Sequence, residues 1–119
     1  MSDRDFNNPI PQVSVEELAQ RMADASEPLQ LIDVREPQEV EIAKVEGFDI
    51  LPLSQFEEWS GQIRDRFDPQ AETFVMCHHG MRSYQMCQWL HSQGFTQVKN
   101  VVGGIDAYAL LVDSSIPKY

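Results

Sequence analysis

The sequence predicts an α/β fold in three layers: a mainly parallel sheet of about five strands with helices on both faces. Three observations predict it. Apolar runs of strand length alternate with segments of helical periodicity from Ile10 to Leu111. The runs Leu29–Val34 and Thr73–Met76 read as buried core strands, as parallel sheets covered on both sides require. Turn formers at Asp68-Pro69, Gly94 and Gly103-Gly104 separate the segments.

An extended piece at Ile10–Val13 leads into Ser14-Val15-Glu16-Glu17, a capping box that opens a helix to about Asp24 with Val15, Leu18, Ala19 and Met22 on one face. The strand Leu29–Val34 follows, and Pro37 starts a short helix through Ile42, where its missing N–H does no harm. Phe48–Leu51 is the next strand. Ser54-Gln55-Phe56-Glu57 repeats the capping signal and predicts a helix to about Phe67. Thr73–Met76 is rich in β-formers. Ser83–Gln93 reads as a helix with Met86, Cys87 and Leu90 inward, ended by Gly94 in the left-handed conformation. Val98–Val102 supplies a last strand, and Ile105–Leu111 a last helix.

A chain of 119 residues, 42% of them hydrophobic, suits one packed domain, expected over residues 10–119 behind a flexible tail at 1–9. Nine Lys and Arg against nineteen Asp and Glu give a net charge of −10. That balance excludes bulk nucleic-acid binding and attraction to an anionic membrane, which both need an excess of cations. No apolar run is long enough to span a bilayer, and residues 1–8 lack the basic-then-apolar order of a secretory signal. Cys77 and Cys87 are too few for a disulfide scaffold and form no CxxC pair. The expectation is a cytoplasmic domain with reduced thiols.

One strand-to-helix junction carries unusual residues. Thr73–Met76 runs directly into Cys77-His78-His79-Gly80-Met81-Arg82-Ser83. A cysteine there sits at the bottom of a tight turn whose N–H groups converge on its sulfur, beside the unpaired N–H groups of the next helix. Both effects favour the thiolate and should lower its pKa below the free value of about 8.5. Gly80 permits a positive φ, and Arg82 offers a planar fork of donors for an anion above the sulfur. Cysteine phosphatases place five residues between Cys and Arg; here there are four. The shorter ring suits a smaller guest, such as the outer sulfur of a persulfide.

These residues resemble the active loop of the single-domain rhodaneses, a family of sulfurtransferases. The pattern Cys-x-x-Gly-x-Arg-Ser is met at Cys77, Gly80, Arg82 and Ser83, and the early signature Leu-Ile-Asp-Val-Arg-Glu-Pro-x-Glu at Leu31–Glu39. The late Gly-Gly-Ile-x-Ala-aromatic signature is met at Gly103, Gly104, Ile105, Ala107 and Tyr108. Two departures occur: Ala43–Phe48 replaces a usual His-Ile-x-Gly-Ala stretch, and Tyr108 stands where Trp is frequent. The resemblance implies a rhodanese-like fold and a double displacement. Cys77 takes a sulfane sulfur from thiosulfate or a persulfide and hands it to cyanide, a thiol or a protein. It implies no metal and no organic cofactor. A silent regulatory or interaction module is the alternative, followed by a Cys-dependent phosphatase or arsenate reductase, which the loop length disfavours.

Cys77 is the expected nucleophile, and Arg82, His78, His79, Gly80, Met81 and Ser83 the expected substrate-binding loop. His78 and His79 are expected at the pocket mouth, partly cationic near neutral pH. Adjacent loop positions normally point apart, so no shared metal site is expected. Ser83 is expected to cap or orient the loop. Asp33 is placed either to brace the loop through hydrogen bonds or to be a plain turn acid, with Arg35 beside it. Arg35 and Glu39, four residues apart, are expected to pair. Cys87 reads as core. Thiosulfate is expected to be a poor donor, since a protein at −10 repels a dianion at long range.

Overall fold

The computed structural model describes residues 10–24 and 26–119; the expected tail at 1–9 lies outside the described residues. Five strands form one sheet: β1 (Gln12–Val13), β2 (Gln30–Asp33), β3 (Asp49–Ile50), β4 (Thr73–Met76) and β5 (Val98–Val101). Their order across the sheet is β1-β5-β4-β2-β3, and every pairing is parallel. The expected three-layer α/β fold is what the chain adopts.

Side-chain alternation along the strands divides the core in two. Phe74 and Met76 of β4 face a layer built with α1 (Val15–Ala23) and α6 (Gly104–Leu111), where they meet Val15, Leu18, Ile105 and Tyr108. Val75 and the next odd-numbered residue, Cys77, face the other layer. It is built with α3 (Phe56–Trp59), α4 (Ile63–Arg66) and α5 (Met81–Ser92) and contains Trp59, Ile63, Met86, Cys87 and Leu90. The capping box at Ser14 is present, with its hydroxyl accepting from the Glu17 amide. The short helix α2 spans Pro37–Ile42, as its proline predicts.

Two element predictions need correction. The helix expected from Ser54 to Phe67 is broken into 3-10 turns at Leu53–Gln55 and Ser60–Gln62 and the one-turn helices α3 and α4. Ser54 does not cap it, because its hydroxyl and amide are drawn to the Glu36 carboxylate, 18 residues earlier. Helix α5 begins at Met81, two residues before the expected start, with Gly80 (φ 109°) as its N-cap. Ser83 therefore lies inside the first turn and cannot cap it.

The seam between the β4–α5 loop and the start of α6 positions the site. The first amides of a helix lack partners within it. Here the Ile105 amide donates to the Cys77 carbonyl (2.9 Å) and the Asp106 amide to the His78 carbonyl (3.1 Å). Gly104 makes this approach possible: at φ 59°, a Cβ would lie 2.5 Å from the His78 carbonyl oxygen and closer still to that of Cys77. Gly104→Ala should destabilise the fold by about 1–3 kcal/mol or more and shift the amide resonances of Cys77 to Gly80. Gly61→Ala, where nothing lies within 4 Å of the added carbon, should do neither. Thermal melts with NMR on both variants check this.

Candidate active site

Cys77 leaves β4 on the α5 side of the sheet and is buried, 1% exposed. Its sulfur is nevertheless not abandoned to hydrocarbon. The Gly80 amide donates to Sγ at 3.0 Å, and the Ser83 Oγ stands 3.3 Å from it. Of the amides expected to ring the sulfur, Gly80 is the one that bonds it among the described residues.

Asn100, on β5, is a buried residue that the sequence reading missed. Its Nδ2 donates to the Gly80 carbonyl (3.1 Å) and to Gln12 Oε1 (3.2 Å), which orients its Oδ1 toward the Ser83 hydroxyl at 2.5 Å. A hydroxyl carries one proton. That proton serves one acceptor at a time, Asn100 Oδ1 at 2.5 Å or the Cys77 sulfur at 3.3 Å. The available signal was parity. Asn100 sits two residues after Val98 and shares its face of β5, pointing an amide into an apolar layer.

The charged residues pair differently from expectation. Arg35 and Glu39 do not form an ion pair: Arg35 precedes α2, so helical i,i+4 spacing does not apply to it. Arg35 is buried and bonded by its Nε and Nη2 to the Asp33 carboxylate, with Nη2 2.8 Å from Oδ2. Asp33 thus braces Arg35, and its side-chain bonds do not reach the loop. The Glu39 carboxylate instead grips Arg82 through both oxygens, at 2.7 and 2.9 Å. The fork that was expected to hold an anion above the sulfur holds Glu39.

Tyr119 is a further residue missed in the sequence. Its hydroxyl accepts from Arg35 Nη1 and donates to Glu39 Oε2, each at 2.9 Å. Its ring lies flat on His78, with centroids 3.9 Å apart and planes within 4°. The phenol is pushed up to about 12, chiefly by burial, with Arg35 opposing and Glu39 reinforcing the shift. It remains a donor at any physiological pH.

His78 and His79 do not diverge. Their rings stack at 3.9 Å, and with Asp106 they bring donor atoms within 4.8 Å of one another, a spacing that a metal ion could draw together. The Asp106 carboxylate also lies 3.9 Å from His79 Nε2 and 3.8 Å from Lys118 Nζ. Burial first, and the neighbouring His79 second, push His78 below the ordinary imidazole value, against the direction expected of a cationic residue at the pocket mouth. Its Nε2 is buried without a hydrogen-bond partner. Met81 is 75% exposed and lines a cleft of about 430 Å³ beside the loop with His79, Gly80 and Tyr84. Cys87 is fully buried, and that burial pushes its thiol far up.

Comparison with known proteins gives this geometry a family. A family model described as "Rhodanese-like domain" matches residues 14–111. A sulfurtransferase from Allochromatium vinosum is 34% identical over 101 residues, covering 84% of this chain and 89% of the relative. A chloroplastic rhodanese-like/PpiC domain-containing protein from Arabidopsis thaliana is 50% identical over 113 residues, 93% of this chain. The chain spans only 38% of that relative's length. The fold matches a rhodanese-like domain protein from Staphylococcus aureus at TM-score 0.74, with 21% identity and coverage of 92% and 99% of the two chains. It matches a human single-domain sulfurtransferase at 0.70, with 24% identity and coverage of 85% and 96%. The chain belongs to the rhodanese-like domain family.

The Glu39–Arg82 pair has an acid signature. Arg82 foremost, against an opposing effect of burial, brings the Glu39 carboxyl from its ordinary 4.5 down to about 2. A depressed folded-state pKa stabilises the fold above the unfolded value and is lost as pH falls through the folded one. Between about pH 4.5 and 2 the wild-type melting temperature should therefore fall more steeply than that of Glu39→Gln, as thermal melts across that range would show.

Proposed function

We propose that this rhodanese-like domain is a sulfurtransferase in which Cys77 carries the sulfur. The observation that supports it most is the Cys77 sulfur at the end of β4, bonded by the Gly80 amide at the head of α5. It sits in a loop one residue too short for the phosphatase arrangement.

The Cys77 thiolate attacks the outer sulfur of the donor. The new S–S bond forms as the donor's own S–S bond breaks, and the donor remnant leaves with the electron pair as a thiolate or sulfite. An acceptor nucleophile then attacks that same outer sulfur, and Cys77 departs as the thiolate. The cycle is redox-neutral and routes no step through a metal or organic cofactor. The Gly80 amide and the Ser83 hydroxyl stabilise the sulfur anion in each half, as fixed donors aimed at developing charge. Nucleophile and outer sulfur must approach to about 3–3.5 Å. The buried sulfur must therefore be uncovered by movement of the loop or its neighbours when a donor binds.

Persulfide donors fit this site better than thiosulfate. The protein carries a net charge of −10, and the guanidinium nearest the loop is already paired. The acceptor is a thiol, a protein or, in an assay, cyanide. A cytoplasmic setting belongs to the same reading, whereas the name of the Arabidopsis relative places that protein in the chloroplast. The burial of Cys77 favours one alternative, a module that keeps the fold for binding and turns nothing over.

Incubation with a small-molecule persulfide and then cyanide separates these readings. Wild-type protein should release thiocyanate. Cys77→Ser should lose at least about a thousandfold in rate, as loss of a covalent nucleophile does, while Cys87→Ala keeps most of it. A fully folded wild-type protein that yields no thiocyanate from any donor would leave the silent module standing.

A further inference from the structure

Among the described residues, every permanent cation at this site is already matched by an acid. Arg35 is bound to Asp33 inside the core, and Arg82 is bound through both nitrogens of its fork to Glu39. Lys118, at the edge, stands 3.8 Å from Asp106. Glu39 is also unusually well held. Its two oxygens take two bonds from Arg82, one from the Tyr119 hydroxyl at 2.9 Å and one from the Glu36 amide at 3.1 Å. Four donors saturate an ionised carboxylate. Tyr119 is anchored in turn by Arg35 on one side and by its stack on His78, the residue after Cys77, on the other.

We propose that Glu39 determines donor selectivity by cancelling the charge of Arg82, and that Tyr119 is the positioning residue that keeps it there. The inference rests on the sulfurtransferase reading and names the substrate class within it: persulfides with at most a single charge at the transferred sulfur, not oxoanion donors with two. A dianion entering over the loop meets a guanidinium that already gives one N–H from each terminal nitrogen to Glu39 and whose field is offset by that carboxylate under 3 Å away. Displacing that carboxylate breaks four hydrogen bonds, and sharing the fork with it sets two anions side by side. A neutral or singly charged persulfide has neither problem. It needs only the fixed donors at the sulfur, Gly80 and Ser83. The ion pair is only partly exposed, with side chains 36% and 20% accessible, so solvent screens it incompletely.

Two variants and two readouts test this. Glu39→Gln keeps the shape and removes the charge; Tyr119→Phe keeps the stack and removes the hydroxyl. The first readout is sulfate binding, followed by NMR at the Arg82 side chain, and needs no turnover. The second is the ratio of kcat/KM for thiosulfate to that for cysteamine persulfide, whose ammonium offsets its perthiolate. Removal of a carboxylate in direct contact should tighten sulfate binding and raise the ratio by at least about tenfold in Glu39→Gln. Tyr119→Phe should move both in the same direction by a smaller factor. Sulfate affinity and donor ratio within twofold of wild type in both variants would overturn the inference while leaving sulfur transfer itself intact. Tighter sulfate binding in a protein that moves sulfur from no donor would instead bring down the sulfurtransferase reading.

Discussion

The backbone seam between the Cys77 loop and the head of α6 is the constraint on which the rest of the site depends. The loop after β4 has carbonyls at Cys77 and His78 that must find donors, and α6 begins with amides that must find acceptors. Each satisfies the other, at 2.9 and 3.1 Å. This demands that two stretches of backbone touch without an intervening Cβ, which explains Gly104. A similar economy governs Gly80, whose positive φ turns the chain into α5 and whose absent side chain would have stood 3.3 Å from the Gly103 amide. With the carbonyls tied behind, the Gly80 amide is left facing forward, at the sulfur.

A second layer of the structure controls charge. A protein at −10 could be expected to leave its few cations free beside the cysteine loop. Instead Asp33 and Glu39, two acids of one short signature, claim the two guanidiniums, and a tyrosine 80 residues beyond Glu39 bridges the pairs. The groups bonded to the Cys77 sulfur are therefore dipoles, an amide and a hydroxyl, rather than bare charge. Dipoles fixed by secondary structure act over short range, on the atom directly in front of them.

Much of this was legible in the sequence, and the misses have physical causes. Strand length, the capping box at Ser14, Pro37 and the glycine at 94 are local signals, and the elements they mark stand where expected. So does the loop, because Cys77, Gly80 and Arg82 are adjacent in the chain. The failures share a feature: the deciding partner was remote. The neighbours of Ser54 predict a cap, but Glu36 attracts it. Helical spacing pairs Arg35 with Glu39, but Arg35 lies outside the helix, and Asp33 and Arg82 offer better geometry to the two. Adjacency in the chain predicts that His78 and His79 point apart, and the Tyr119 ring stacked on His78 carries no local signal. Asn100 was legible in principle, as an amide on the inward side of a strand.

The central claim is that one thiol, Cys77, is the atom that carries sulfur, while the second buried thiol is inert. Trypsin cleavage after Arg82 places Cys77 and Cys87 on different peptides. Mass spectrometry of wild-type protein treated with a persulfide donor and digested under non-reducing conditions reads the outcome directly. The peptide holding Cys77 should gain the mass of one sulfur atom and lose it on exposure to an acceptor thiol, while the peptide holding Cys87 stays unchanged. An unmodified Cys77 peptide, or an added sulfur found on Cys87, would contradict the account.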